Sequence, residues 1–380
     1  MNIHRFFPIR ILILLSITIL SACGGTPAAT QSSATEPAAS SACPQPSPKM
    51  EVTSKEVNLF TWAEYIPQQA LDCFEEVYGV KVNIDNFSSI EEMYAKLSKG
   101  ASGYDIVQPG DYIVELMVKD GMLEKFDAGK LSVMSNFGAQ YLDKPFDPGN
   151  QYTLPYQVGS TAIAYNADTV KTIPTSYADM WNKEYAGHLV MVDDSRSIIG
   201  MTLLTLGYDV SSTDPKQLAE AKAKLAELVP NVRVFDSDSP KNVLIGGEAD
   251  LGLIWGSEAF LAHAEKPSIK YVYPTEGAIL WQDNFSIMSG APHNDAAYAF
   301  LNYFYQADIF WMVMRDYPNT NPNTAAIEYA KINQPDVYKK YMASNITNMS
   351  SEDVTNGHWL KDLGDAAAIF DKVWVEVKGP

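Results

Sequence analysis

Val57-Asn58-Leu59-Phe60-Thr61-Trp62, Pro67 to Tyr78, Val80-Lys81-Val82-Asn83-Ile84, Glu91 to Ser98 and Tyr104-Asp105-Ile106-Val107 follow one another in the first third of the chain. The first is a short strand pattern that ends in polar and aromatic residues. In the second, Ala70, Leu71, Phe74 and Val77 recur at helical spacing with acids on the other side, and Gly79 closes the helix. The third alternates as a strand, the fourth reads as a helix, and the last is a strand stopped by Pro109-Gly110. Strand, helix, strand, helix, strand predicts a parallel sheet with helices on its faces. Ligands of such sheets sit beyond the carboxyl ends of the strands. Trp62 and Tyr112 fall at that edge.

Working outward, the second half alternates less cleanly. His188 to Val192 is a strand that runs out at Asp193-Asp194, followed by a helix around Ile199 to Leu206. Asp214-Pro215 begins another helix, Lys216 to Val229. Val232 to Phe235, Leu251 to Trp255 and Ala278 to Trp281 read as strands, the last followed by Asp283. Helices from about Asp295 to Gln306 and near Asp365 to Val375 complete the chain. No repeat recurs at a fixed period. The pattern predicts an α/β fold of two lobes, with a cleft between them and more than one chain crossing.

The amino end reads as an export signal. Arg5 and Arg10 give a positive start, and Ile11 to Leu20 is apolar apart from Ser16 and Thr18. That run is shorter than the about 20 residues a membrane span needs, and it matches a cleavable signal core. Leu20-Ser21-Ala22-Cys23-Gly24 resembles the bacterial lipoprotein box, which makes Cys23 the expected site of lipidation and membrane attachment. Residues 1–22 are thus expected to be a signal peptide and 23–54 a disordered tether. Its Ala, Ser, Thr, Pro and Gln offer too little apolar surface to offset ordering entropy. The body is expected outside the cytoplasm. Cys43 and Cys73 leave a disulfide and two free thiols equally open there.

The roughly 325 residues after the tether exceed what one core usually covers, so two domains are favoured. With 28 Lys+Arg against 46 Asp+Glu, a net charge of −18, nucleic acid is excluded as a partner. Small cations are attracted instead.

Aromatic residues stand beside acids at predicted strand ends: Trp62 with Glu64 and Tyr65, Asp111 with Tyr112, Trp255 with Glu258, and Trp281 with Asp283. A protonated amine gains roughly 0.5–2 kcal/mol from each aromatic face, and a carboxylate fixes it with a charge-assisted hydrogen bond. An aliphatic diamine or triamine needs both kinds of group. Trp281 and Asp283 point to one face of an extended segment, because side chains alternate. Any single pair is more readily structural than functional in a chain with 7 Trp, 21 Tyr and 15 Phe. The repetition carries the reading.

Enzyme signatures are missing. There is no Gly-x-Ser-x-Gly elbow, no His-Glu-x-x-His, no phosphate loop and no Gly-x-Gly-x-x-Gly. His188, His263, His293 and His358 lack ligand-like spacing. No cofactor and no metal are expected. Other readings stay open from the residues alone: a surface-anchored hydrolase using paired acids, a binder of another cationic metabolite, and a receptor that only senses such an amine.

Phe60 to Tyr65, Glu92 to Leu97, Tyr104 to Val107, Lys144 to Pro148, Asp193 to Arg196, Leu251 to Trp255 and Asn356 to Trp359 resemble the spermidine/putrescine-binding proteins of bacterial ABC importers. The resemblance runs from about Val57 to Val377. It implies a monomeric, two-lobe periplasmic-binding-protein type II fold, each lobe a mostly parallel sheet flanked by helices. One lobe is expected over 55–160 and 281–328, the other over 161–280 and 329–380. It also implies capture of a polyamine for a membrane permease. An aromatic box falls on Trp62, Tyr65, Tyr112, Trp255, Trp281 and Tyr317, an amine-anchoring acid on Asp283 and a second cleft acid on Asp194. The pattern departs in places. Ser197 replaces a glutamate, Leu360 a glutamine and Gly110 a hydroxyl residue, while Glu258 stands where putrescine-preferring relatives place an acid. These changes imply specificity moved away from a strict spermidine pattern, towards putrescine.

Overall fold

The alternation at 56–62 does form a strand, and the elements of the opening stretch follow in the expected order. The structure is a computed structural model that describes residues 43–100 and 103–379. Its elements begin with β1 (Glu56–Trp62), α1 (Gln68–Tyr78), β2 (Lys81–Phe87), α2 (Ile90–Ser98), β3 (Ile106–Val107), α3 (Asp111–Lys119) and β4 (Leu154–Asn166). Next come β5 (Leu189–Met191), α4 (Ser195–Thr205), α5 (Pro215–Leu228), β6 (Val232–Phe235), α6 (Pro240–Gly246), β7 (Leu251–Trp255), α7 (Gly256–Glu265), β8 (Ile269–Val272) and β9 (Ile279–Ile287). The chain closes with α8 (Asn294–Phe304), α9 (Ala307–Asp316), α10 (Thr324–Asn333), α11 (Pro335–Met342), α12 (Ser351–Asn356), β10 (His358–Trp359) and α13 (Ala367–Lys378). Gly79 caps α1 with φ +65, a left-handed conformation that glycine adopts without steric cost.

The strands order as β2-β1-β3-β9-β4-β7-β5-β6, with β10 beside β9 and β8 beside β4. β2, β1 and β3 are parallel to one another, and so are β6, β5 and β7. Between these groups run β9 and β4, antiparallel to each other and to the strands they adjoin, β3 and β7. Each lobe thus has the parallel group expected of it, and long antiparallel strands join the two.

No strand was predicted at 154–166. Every residue of β4 is buried, and its sequence, Leu-Pro-Tyr-Gln-Val-Gly-Ser-Thr-Ala-Ile-Ala-Tyr-Asn, has no alternation to signal it. A strand buried on both faces loses its polar rhythm. The strand expected to end at Trp281 continues to Ile287 for the same reason, which sets Trp281 and Asp283 within β9 rather than at or beyond its end.

Each parallel group has its own apolar core. Phe60, Met93, Val107 and Met117 pack on one side of the first group, and Phe74, Tyr156, Phe285, Phe300 and Tyr305 on the other. Leu189, Met191, Ile199, Leu253 and Phe370 cover one side of the second, with Val190, Leu244 and Ile254 on the other. The expected lobe boundary at 328/329 cuts α10, whose Ala326 and Ala330 share the first core with Tyr341 of α11. The sequence after 328 thus returns to the first group before moving to the second.

The signal, Cys23 and the tether up to residue 42 lie outside the described residues. Residues 43–54, also expected to be tether, are ordered on the body. Cys43 is bonded to Cys73. Tyr303 donates to the Pro44 carbonyl at 3.0 Å, and Asp295 accepts from the Thr53 N–H and hydroxyl at 2.7 and 2.8 Å. The covalent bridge and these partners offset the ordering entropy that composition alone leaves uncompensated.

Candidate functional site

Carboxyl ends of the parallel strands converge on one cleft. β1 ends at Trp62 and leads into Glu64 and Tyr65, and β3 leads to Asp111 and Tyr112 in the first turn of α3. From the second group, β5 delivers Asp194, β6 the Ser237-Asp238 turn, and β7 Trp255 with Glu258 in the first turn of α7. Trp281 and Asp283 come from β9, and Tyr317 follows α9. All eleven aromatic and acidic residues singled out in the sequence line this cleft, which holds about 850 Å³ counting the space at its open mouth. Gly110, Ser197 and Leu360, where the chain departs from the family pattern, line it too.

Asp283 is 8 % exposed, and Tyr65 donates a hydrogen bond to its Oδ2 at 2.8 Å. Tyr65 is fixed edge-on against Tyr156, with ring centroids 5.1 Å apart, and against Tyr317 at 6.0 Å. Two residues along β9, Phe285 is locked among Tyr156, Phe300, Phe304 and Tyr305, which holds the strand under the carboxylate. Burial pushes Asp283 up to about 7, relieved only in part by the Tyr65 hydrogen bond. Asp111 accepts from the Tyr112 N–H at 2.9 Å, and burial pushes it up to about 8. Neither carboxylate has an ion-pair partner among the described residues. Two buried acids without a cation form an unfinished electrostatic arrangement.

A second acid group already contains one. Tyr112 donates to Glu91 Oε1 at 3.1 Å, and the Arg196 guanidinium lies 4.3 Å from the Tyr112 ring centroid. Burial raises Glu91, the Asp194 charge raises it further and Arg196 opposes both. Asp194 caps α4, its Oδ1 accepting the Ser197 N–H at 2.7 Å. That capping bond explains why the helix expected from Ile199 starts at Ser195.

The third group revises the reading of Glu258. Lys241 Nζ lies 2.9 and 3.0 Å from its two carboxylate oxygens and 3.8 Å from Glu64 Oε2. Burial raises Glu258, and Lys241 holds that rise back. Glu258 is therefore not a spare acid but half of a resident ion pair. Glu64 has φ +46, in the left-handed region where a side chain costs of order 1–3 kcal/mol.

Trp255 and Trp281 meet edge to face, 6.4 Å between centroids. The Trp281 ring lies over its cross-strand partner Gly159, where a Cβ would come within 2.2 Å of ring carbons. Trp281 Nε1 donates to Thr161 Oγ1 at 3.2 Å. Glycine at 159 is what lets this ring lie flat in the cleft.

Sequence reasoning missed Glu91, Arg196 and Lys241 and left Asp111 as a mere neighbour of Tyr112. Glu91 reads as an ordinary first-turn acid, and Lys241 lies 17 residues from Glu258 with no motif linking them. None of the histidines named above lines the cleft. His293, for example, pairs with Asp105 at 3.0 Å.

A family model described as bacterial extracellular solute-binding protein matches residues 69–343. The chain belongs to that family. This solute-binding protein is 38 % identical over 322 residues to the spermidine/putrescine-binding periplasmic protein of Escherichia coli, covering 84 % of this chain and 90 % of the relative. Among solved structures it is similar to a putative spermidine/putrescine ABC transporter from Listeria monocytogenes, with TM-score 0.81 and 25 % identity, covering 86 % of this chain and 99 % of that one. It is also similar to the Tp0655 (TpPotD) lipoprotein of Treponema pallidum, with TM-score 0.72 and 28 % identity over 85 % and 99 % of the two chains. The type II periplasmic-binding fold expected from the resemblance is thus the fold of this solute-binding protein. It acts outside the cytoplasm, as its family does. Among the described residues no helix is long and apolar enough to cross a membrane.

Proposed function

We propose that this solute-binding protein captures a polyamine in the cleft and hands it to the permease of an ABC importer. The observation that carries the reading is Asp283: a buried carboxylate with no cation beside it among the described residues, held by Tyr65 in a cleft walled by Trp62, Trp255, Trp281, Tyr112 and Tyr317. A ligand ammonium supplies the missing charge, and the rings cover the methylenes between amines. The names of the relatives, spermidine/putrescine-binding and ABC transporter proteins, support the same ligand class and the same destination. No step of this function makes or breaks a covalent bond.

The two parallel groups act as lobes that close on the ligand, with β4 and β9 as the crossing segments. Closure expels water and strengthens every amine–carboxylate contact. A lipid on Cys23 holds the monomeric protein at the membrane. The Treponema relative, named a lipoprotein, supports that anchor.

Titration calorimetry with putrescine, cadaverine, spermidine and spermine tests the ligand class. At least one is expected to bind with one-to-one stoichiometry, and silence with all four overturns the reading. A sharper test is Gly159→Ala. The added methyl displaces the Trp281 ring at a packing cost of about 1–3 kcal/mol. Affinity is expected to fall about 2- to 30-fold, the range of one lost cation–π contact. Circular dichroism should stay unchanged, and unchanged affinity would remove Trp281 from the ligand's contacts.

A further inference from the structure

The protein sets an ammonium of its own against two acids of the cleft wall. Lys241 is the second residue of α6, and its side chain is only 18 % exposed. Its Nζ meets both oxygens of Glu258, donates to Ser239 Oγ at 3.1 Å and lies 3.8 Å from Glu64. The Lys241 backbone N–H also reaches Glu258 Oε2 at 3.3 Å. Glu64 and Glu258 come from the two different parallel groups, following β1 and β7, and both face the cleft. A cation held between acids from either side of a cleft is the arrangement a ligand's terminal amine would adopt.

We propose that Lys241 sets the length of polyamine the cleft accepts, acting as a tethered ammonium that fills the Glu64–Glu258 acid pair. The ligand is left with the other acids of the cleft, Asp283 and Asp111 among them, which suits an amine with one ammonium fewer. A triamine would carry its additional ammonium towards the Glu64–Glu258 pair, where the Lys241 charge repels it and both of those acids are already taken. This inference rests on the polyamine reading of the cleft. It also changes the reason for a putrescine preference, from an extra acid at Glu258 to a resident cation that neutralises it.

Calorimetry with putrescine and spermidine on the full chain and three variants tests it. Lys241→Met is expected to raise the spermidine-to-putrescine affinity ratio about tenfold or more. Lys241→Gln removes the charge but keeps hydrogen bonding to Glu258, so it decides the matter if the methionine variant folds poorly. Its ratio should move in the same direction. In the double variant Lys241→Met with Glu258→Gln the freed carboxylate is gone, and the ratio should return to within about threefold of the unmodified protein. Unchanged ratios in both single variants, in a protein that binds polyamine, overturn the role of Lys241 alone. If the unmodified protein binds neither amine, the polyamine reading fails and this inference fails with it.

Discussion

Asp283→Asn is expected to weaken polyamine binding about 150- to 5000-fold, because removing one partner of a buried ion pair costs about 3–5 kcal/mol. The same change is expected to stabilise the ligand-free protein. Burial holds Asp283 at about 7 in the folded chain, against 3.8 for an ordinary aspartate. Between those values the folded state holds more protons than the unfolded one, so stability falls as pH rises across that window. Asparagine keeps the shape and an acceptor for the Tyr65 hydroxyl, but never ionises. Melting curves at pH values above 7 should therefore shift upward in the variant while calorimetry shows lost affinity. A purely structural aspartate would give the opposite pair of results, a lower melting temperature with binding nearly retained. Affinity within about twofold of the unmodified protein would remove Asp283 as the anchor.

Binding itself should tighten as pH rises from 6 to 8, by about tenfold if Asp283 alone must ionise and by more if Asp111 ionises as well. Burial lifts these acids to about 7 and about 8, so part of each population is protonated in the empty cleft near neutrality. An arriving ammonium selects the carboxylate form and expels the proton. The ligand's amines, with ordinary values near ~10, stay charged across this range and add no opposing slope. Calorimetry in buffers of different ionisation enthalpy should record net proton release at pH 7, reduced in Asp283→Asn. Proton uptake, or affinity independent of pH, would mean that these carboxylates do not meet the ligand.

Much of the cleft was legible because its walls are strand ends. Trp62, Asp194 and Trp255 each sit within two residues of the end of a predicted strand and Tyr112 a few residues beyond one, and the rule that ligands gather at carboxyl ends applies to each separately. The neighbouring acids came with them. What stayed hidden has two physical causes. β4 carries no alternation because both of its faces are buried, so the strand that seats Trp281 over Gly159 left no periodic trace. Lys241 and Arg196 act through contacts distant in the chain, and a lone basic residue on a helix has no signature until its partner is beside it.

Local order was within reach of the sequence: the parallel βαβ units, the helix caps at Gly79 and Asp214, and the rings and acids that line the cleft. These depend on alternation, helical spacing and turn chemistry among near neighbours. Only the tertiary structure decided which acids are already neutralised. Glu258 and Asp283 look alike in sequence, each an acid just after a tryptophan. In the fold one meets Lys241 and the other meets no cation among the described residues, because charge compensation between buried groups is settled by where distant segments come to rest.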